Sequence, residues 1–265
     1  MALLPTLFLS HGAPDIAVAD TVAAAFLRRL ATVLPAPHAI LVASAHFERQ
    51  GSVGVSADAS PETIHDFGNF DPRLFEIRYP APGDPQLAKA IVDRLVASGF
   101  AATAITGRGF DHGTWVPLSL AYPDADIPVV QVSVDPTRDA AYHLALGEAL
   151  AGLRAEGVLI VGSGSFTHNL QEAFGRLRRG LRVDTTPEWV SQFADWMSDR
   201  LVAGDREALA DYRARAPFAV ENHPTDEHLM PLHVALGAAG RGAKAERLHA
   251  SSEFGVLSMD AFAFH

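Results

Sequence analysis

The sequence predicts an α/β protein of one domain, in which a central, largely parallel or mixed sheet is flanked by helices. Short apolar runs of strand length alternate with helix-length segments along the 265 residues, which is typical of α/β folds. No linker, composition break or internal repeat divides the sequence, so we expect one domain over residues 1–265. Several of the apolar runs end in a turn that carries a histidine, which predicts a site at the carboxyl ends of strands.

The first two thirds of the sequence hold most of the predicted strands. Apolar or alternating runs predict the strands, whereas apolar residues spaced three to four apart predict the helices. Asp20 and Asp84 are the expected N-caps of the first two helices, and Pro35 ends the first of them. The predicted elements are strand 3–9, helix 20–34, strands 39–48 and 51–56, helix 84–99, strand 100–106, helix 115–122, strand 127–134, helix 137–156 and strand 158–163.

The last third is more helical. Residues 189–202 and 205–215 are predicted to be amphipathic helices, and a further helix ends near Gly237, with Pro231 tolerated in its first turn. Residues 246–249 and 255–259 are predicted to be closing strands.

Between the strands and helices of the first half lies a long segment, residues 60–82, that is rich in aromatic residues and poor in periodicity. A loop of that length is uncommon in a compact domain unless it has a function. We therefore expect it to cover a site.

Composition excludes several classes of protein. The formal net charge is −10 and no extended basic patch occurs, which argues against a nucleic-acid partner. The sequence has no cysteine, so a metal ion would need histidine, carboxylate or water ligands. No apolar run approaches the roughly 18 residues of a membrane span, and no secretory signal is recognised. We therefore expect a cytoplasmic enzyme, with a homo-oligomer as one option for its assembly.

Histidines at strand ends are the main functional indication. His11 and His46 each follow an apolar strand and stand beside small residues, and His168 follows the strand 158–163. Small neighbours leave room for a metal and a substrate. A third metal ligand is expected near residue 227, where either Glu227 or His228 could complete a facial set on side-chain type alone.

Other histidines have more than one interpretation. His168 is either a fourth ligand or a general acid/base, for which an imidazole pKa near 6.5 is well suited. His112, flanked by Asp111 and Gly113, either contacts substrate or braces its loop. We read His233 as structural, because it lies five residues after His228 and off the same helical face.

The glycine-rich segment 162–165 (GSGS) invites a phosphate-loop or nucleophilic-serine interpretation. Neither fits, because the lysine of the P-loop and the G-x-S-x-G spacing are both missing.

Taken together, these segments resemble a known family, the class III (LigB-type) extradiol ring-cleavage dioxygenases, and within it the DOPA 4,5-dioxygenase-like group. The resemblance extends over nearly the whole chain, and the block from His223 to His228 is its most specific part. It rests on residues 9–14 (LSHGAP), 44–47 (SAHF), 109–113 (GFDHG), 162–170 (GSGSFTHNL) and 223–232 (HPTDEHLMPL).

The resemblance implies a non-haem Fe(II) enzyme that opens a catechol ring with O₂. It implies that His11, His46 and His228 are the metal ligands and that His168 is the acid–base histidine, which also coordinates in zinc-occupied relatives. His112 would act in catalysis or substrate binding, and His223 in substrate binding.

Two alternatives to this activity stay open at this point. The same histidine cluster would suit a zinc-dependent hydrolase, in which a metal-bound hydroxide attacks the substrate. It would also suit a non-catalytic metal-binding protein of the same fold. Fe(II) is the expected metal of the active enzyme, and zinc is an alternative occupant of the site after isolation.

Overall fold

The fold is known from a computed structural model that describes residues 3–181 and 185–265. The strands of the described residues are β1 (Thr6–Ser10), β2 (Ala39–Glu48), β3 (Val53–Ser56), β4 (Ala102–Ile105), β5 (Val129–Val134), β6 (Val158–Gly164), β7 (Ala245–His249), β8 (Ser252–Glu253), β9 (Leu257–Ser258) and β10 (Ala261–Phe264). The α-helices are α1 (Val22–Leu30), α2 (Pro85–Ala97), α3 (His112–Ala121), α4 (Ala140–Leu150), α5 (Leu170–Arg178), α6 (Glu188–Ala203), α7 (Arg206–Ala210), α8 (Tyr212–Arg215), α9 (Ala219–Asn222) and α10 (Met230–Ala239).

Eight strands form one mixed sheet in the order β4-β3-β5-β2-β6-β1-β10-β7. The central strands β5, β2, β6 and β1 are parallel to one another, while β10 and β7 add an antiparallel edge. β3 pairs antiparallel with β5. The predicted fold class, a single α/β domain with a largely parallel or mixed sheet, is confirmed.

Helices cover both faces of the sheet, because the central strands are apolar on both sides. Leu7 and Leu9 of β1 pack in a core with α1 and α3. Phe8, between them, faces the opposite side, where α6 and α10 pack, as the period of two in a strand requires. The carboxyl ends of β1, β2 and β6 therefore meet at one edge, between two helical layers.

Most predicted elements are present with shifted ends. Asp84 caps α2 as predicted, through bonds from the amides of Gln86 and Leu87. The cap of α1 is Thr21, not Asp20, since the helix begins one residue later than its apolar spacing suggests. The predicted helix 205–215 is two short helices, α7 and α8, which part at Asp211.

The closing strand of the sheet differs from the prediction. Residues 255–259 contribute only the two-residue strand β9, which pairs with β8 outside the main sheet. The strand that completes the sheet is β10, which lies antiparallel to β1. Its alternation of alanine and phenylalanine gives two buried faces, because Phe262 and Phe264 pack in one core and Ala261 and Ala263 in the other.

No helix in the described part of the chain combines the length and the apolar character that a membrane crossing would require.

Candidate active site

Three histidines from distant parts of the chain meet at the edge of the sheet. The Nε2 atom of His46 lies 3.1 Å from Nε2 of His11 and 3.3 Å from Nε2 of His228. One nitrogen from each ring falls within 4.8 Å of the other two. The structure thus brings together the three residues that were predicted as metal ligands.

His11 directly follows β1, and its ring is fixed by Ser163 of β6. Leu9 pairs with Ser163 in the parallel ladder, so Ser163 stands next to the end of β1. The Ser163 hydroxyl donates to the carbonyl oxygen of Gly113, and Nδ1 of His11 lies 3.0 Å from the same hydroxyl oxygen. Since the hydroxyl hydrogen is used, Nδ1 must donate, which leaves a lone pair on Nε2 of His11.

His46 lies within β2, at an irregularity between Ser44 and Glu48 where the pairing with β5 shifts. Such shifts re-aim a side chain, and here the ring turns toward His11. Ser44 anchors the distortion, because its hydroxyl donates to Asp111 Oδ1 (2.7 Å) and accepts from the amide of His46 (3.2 Å).

Arg108 also holds the backbone at His46 in place. Its guanidinium donates to the carbonyl oxygen of His46 (3.0 Å) and to Asp111 Oδ2 (2.7 Å). Asp111 is fully buried and also caps α3. The ion pair therefore connects the strand that carries His46 to the helix that begins at His112.

His228 reaches the site because β6 carries glycines that let its segment approach. A Cβ atom on Gly164 would lie 2.1 Å from the carbonyl oxygen of His228, and one on Gly162 would lie 2.1 Å from that of Pro231. The amide of Ser165 also donates to the carbonyl oxygen of His228 (2.8 Å). The glycines of the segment 162–165 thus serve close backbone packing.

Glu227 orients the ring of His228 and lies near the ring of His168. Its Oε1 atom lies 2.8 Å from Nδ1 of His228 and 4.0 Å from Nδ1 of His168. Because a carboxylate accepts, Nδ1 of His228 donates and its Nε2 keeps a lone pair that faces His46.

Burial keeps these imidazoles neutral. It lowers the pKa of His46 to about 3, and the nearby His112 acts in the same direction. Burial also lowers the pKa values of His11 and His228 well below the ordinary value, again with help from neighbouring histidines. Neutral imidazoles are the form that binds metals.

The donor set fits a divalent metal ion. Three nitrogens that each lie about 2.1 Å from one ion are roughly 3.0 Å apart at right angles and 3.4 Å apart in a tetrahedron, which brackets the spacings of 3.1 and 3.3 Å. Within residues 3–181 and 185–265, two further groups of close ligand atoms occur, namely His46–Asp66–His112 and His168–Glu227–His228. In each of these two groups a histidine is already hydrogen-bonded to the carboxylate. The group of His11, His46 and His228 is therefore the best metal site.

His168 lies beside the three histidines rather than among them. Its ring stacks on His228, with centroids 3.4 Å apart and planes 12° apart. Burial lowers the pKa of His168 to about 3, with a further contribution from His223, while the charge of Glu227 opposes the shift. A neutral imidazole in this place can accept a proton from a molecule bound in the cavity.

His112 is the first residue of α3 and is held by Asp66 from the long loop. Asp66 Oδ1 accepts from both the amide and Nδ1 of His112, each at 3.0 Å. The ring centroid of His112 lies 3.9 Å from that of His46. The carboxylate fixes Nδ1 as the donor, which leaves Nε2 of His112 as an acceptor.

His223 lies outside the cavity wall, unlike the other five predicted site histidines. Its ring is fully buried and donates through Nε2 to the carbonyl oxygen of Phe166 (3.0 Å). Phe166 is two residues before His168, whose amide donates to the carbonyl oxygen of Asn222. His223 thus contacts the backbone that carries His168.

The histidines open into one cavity of about 880 Å³, which is near the upper end of small-molecule pockets, about 300–1,000 Å³. Part of the predicted covering loop, from Asp66 to Arg73, forms one wall, and α5 forms another. This part of the long loop thus lines the cavity into which the histidines open, as expected for a covering loop.

Sequence reasoning missed several residues that shape the site, chiefly Ser163, Asp66, and the pair of Asp111 with Arg108. Ser163 stands in the glycine-rich segment 162–165, and nothing in that local pattern indicates that its hydroxyl lies beside His11. Asp66 follows His65 in the aromatic loop, and nothing in its local sequence indicates that it reaches His112.

Comparison with known proteins agrees with this geometry. Residues 8–261 match the family described as "Catalytic LigB subunit of aromatic ring-opening dioxygenase". The chain is 44% identical over 264 residues to "4,5-DOPA dioxygenase extradiol" of Beta vulgaris, covering 98% of this chain and 96% of that protein. It is 39% identical over 239 residues to the protein of the same description from Escherichia coli, covering 89% and 85%.

A solved structure shares the fold. The crystal structure of an uncharacterized protein from Escherichia coli K12 superimposes with a TM-score of 0.80 at 32% identity, covering 99% of this chain and 100% of that one. The chain therefore belongs to the LigB family of class III extradiol ring-opening dioxygenases, and within it to the DOPA dioxygenase group of these oxidoreductases.

Proposed function

We propose that the protein opens the ring of a substituted catechol beside its two hydroxyls, using O₂ and an Fe(II) ion held by His11, His46 and His228. The observation that carries the proposal is the convergence of three imidazole Nε2 atoms, 3.1 and 3.3 Å apart, in the wall of a cavity large enough for an aromatic substrate.

Iron is the metal that suits this chemistry. Bound Fe(II) would provide open coordination positions and the redox capacity by which a catechol and O₂ react. Zinc would fit the same nitrogens but lacks that redox capacity, so a zinc-loaded protein is expected to be inactive.

His168 is the proposed acid–base residue. Its depressed pKa means that it meets the substrate as a neutral base, able to take a proton from a catechol hydroxyl oxygen. The carboxylate of Glu227, 4.0 Å from Nδ1, would stabilise the imidazolium until the proton returns to the ring-opening product.

His112 and His223 are proposed to serve the substrate differently. His112 lines the cavity with an acceptor nitrogen, so it can bind a catechol hydroxyl directly. His223 would act through the backbone of Phe166, holding the segment that presents His168.

The substrate is proposed to be DOPA or another ring-substituted catechol. The support is that several relatives at 37–44% identity are described as DOPA dioxygenases.

Oxygen uptake tests the function. Chelator-treated protein is loaded with Fe(II) without air, then given L-DOPA, 4-methylcatechol or catechol and O₂. We expect stoichiometric O₂ consumption and a yellow ring-opened product. His168→Ala should keep the metal and lose most turnover, whereas His265→Ala, at an exposed terminal residue, should behave as the wild type. Full iron occupancy without uptake on any of these catechols would contradict the proposal.

A further inference from the structure

We propose that α5 forms a subsite for an extended, apolar ring substituent that ends in a carboxylate. The inference rests on the proposed catechol cleavage and deepens it, because it names the part of the substrate that lies beyond the ring.

The position of α5 links it to the chemistry. His168 is two residues before the helix, and Asn169 caps it by accepting from the amide of Glu172. The helix therefore starts beside the acid–base residue and runs away from it. From Leu170 to Arg178 it rises roughly 12 Å, which is much longer than the side chain of DOPA.

One face of α5 lines the cavity along its whole length. The residues of the helix that form the cavity wall are Leu170, Ala173, Phe174, Leu177 and Arg178. Their spacing of three and four residues places them on a single side of the helix. This face of the helix is apolar until its last turn, where it ends in the guanidinium of Arg178.

This apolar face is left open to the cavity. Leu170 and Phe174 are each 42% exposed, although both lie in the wall of the active-site cavity. Phe254 and Leu257, which are buried, extend the same apolar wall. A hydrophobic substituent would cover side chains that the fold leaves in water.

The charge at the far end fits an anion. Among the residues that the structure describes, two arginines lie in the cavity wall. Arg73 is bonded to Asp71, with a shortest distance of 2.7 Å. Arg178 forms no ion pair with any carboxylate in residues 3–181 and 185–265. A carboxylate at the end of the substituent would pair with it.

A series of 4-alkylcatechols measures the apolar part. With Fe(II)-loaded protein, kcat/KM is measured for the methyl, propyl, pentyl and heptyl compounds. We expect about a twofold rise for each added methylene, which is half the effect of full burial. Anaerobic calorimetry of the same compounds should show the same trend in Kd without turnover. A flat or falling series would overturn the proposal.

Variants localise the effect. Phe174→Ser should lower the heptyl-to-methyl ratio of kcat/KM about fivefold. Phe218→Ser is the matched control, because Phe218 is 41% exposed and lies outside the described cavity wall; its ratio should equal that of the wild type. Circular dichroism confirms folding, and Leu170→Ser gives a second test if Phe174→Ser does not fold. An unchanged ratio in the folded α5 variant would refute the assignment to α5.

The carboxylate is tested separately. We expect 7-(3,4-dihydroxyphenyl)heptanoate to be preferred about fivefold over its primary amide, and Arg178→Gln should abolish this preference. Equal rates for acid and amide would overturn the anionic end of the subsite.

The outcomes distinguish failure of this inference from failure of the proposed function on which it rests. If no catechol consumes O₂, the proposed function fails. If 4-methylcatechol is cleaved but chain length has no effect, the function stands and the subsite on α5 is refuted.

Discussion

The hydroxyl of Ser163 lies 3.0 Å from Nδ1 of His11 and donates its hydrogen to the carbonyl oxygen of Gly113. This arrangement fixes the tautomer of His11, so that Nε2 offers a lone pair to the site. Ser163 is fully buried, and its position follows from the parallel register of β1 and β6.

Replacing Ser163 with alanine should weaken metal binding. Nδ1 of His11 and the Gly113 carbonyl would both lose their partner in a buried place, and either tautomer of His11 would then be accessible. We expect a 10- to 100-fold rise in the Kd for the metal, measured by competition with a chelator. Ser119→Ala, which removes a half-buried hydroxyl bonded to the carbonyl oxygen of Val116, should leave the Kd unchanged. Equal affinities for Ser163→Ala and wild type would contradict this role.

Gly164→Ala should displace His228. The new Cβ atom would lie 2.1 Å from the carbonyl oxygen of His228, and a backbone oxygen cannot yield without moving its residue. We expect a loss of about 1–3 kcal/mol in the free energy of unfolding, together with weaker metal binding, by urea titration and chelator competition.

Gly175→Ala provides the opposite control. A Cβ atom there meets nothing within 4 Å, and alanine is favoured over glycine in a helix by about 1 kcal/mol. If Gly175→Ala stabilises the protein and Gly164→Ala destabilises it, the loss of stability comes from backbone crowding at position 164 and not from replacing a glycine as such. A stable Gly164→Ala with full affinity would disprove the crowding argument.

The fold class and the positions of His11 and His46 at the sheet edge could be predicted because they depend on local patterns, whereas the choice of His228 over Glu227 came only from the family resemblance. An apolar strand with a histidine and small residues at or near its carboxyl end places an imidazole at the edge of the sheet. The closing strand was misplaced because β10 owes its position to pairing with β1, some 250 residues away.

The groups that hold the rings could not be predicted from one sequence. Asp66 meets His112 across 46 residues, and Ser163 meets His11 across 152. Such contacts exist only once the loop has folded over the site and the strands are in register. The same limit applies to His223, whose position behind Phe166 has no local indication.

Asp66→Asn should impair turnover while sparing the metal. Burial would raise the pKa of Asp66, but its hydrogen bonds with His112 outweigh that effect and hold the pKa at about 2. The carboxylate is therefore charged at neutral pH and stabilises His112 in one orientation. We expect about a tenfold fall in kcat/KM with unchanged metal content, because an amide carries no charge and can present a donor instead.

The control for this prediction is Asp93→Asn, which removes an exposed carboxylate paired with Lys89. Its kcat/KM should match the wild type. If Asp66→Asn loses bound metal to the same extent as it loses activity, Asp66 instead supports the metal site through His46.

Acid should destabilise the metal-free protein steeply. Burial lowers the pKa values of His223 and His233 to about 4 each, whereas an unfolded histidine has a pKa near 6.5. Between these values the unfolded chain binds more protons, so the stability that each residue contributes is complete above about pH 6.5 and is lost as the pH falls toward 4. From pH 7 to pH 5, each of the two histidines should lower the free energy of unfolding by about 2 kcal/mol.

Urea titrations of chelator-treated protein at the two pH values measure this loss, and His233→Asn should reduce it by the share of one histidine. A free energy of unfolding that stays flat over this range would show that these rings are not held neutral by burial.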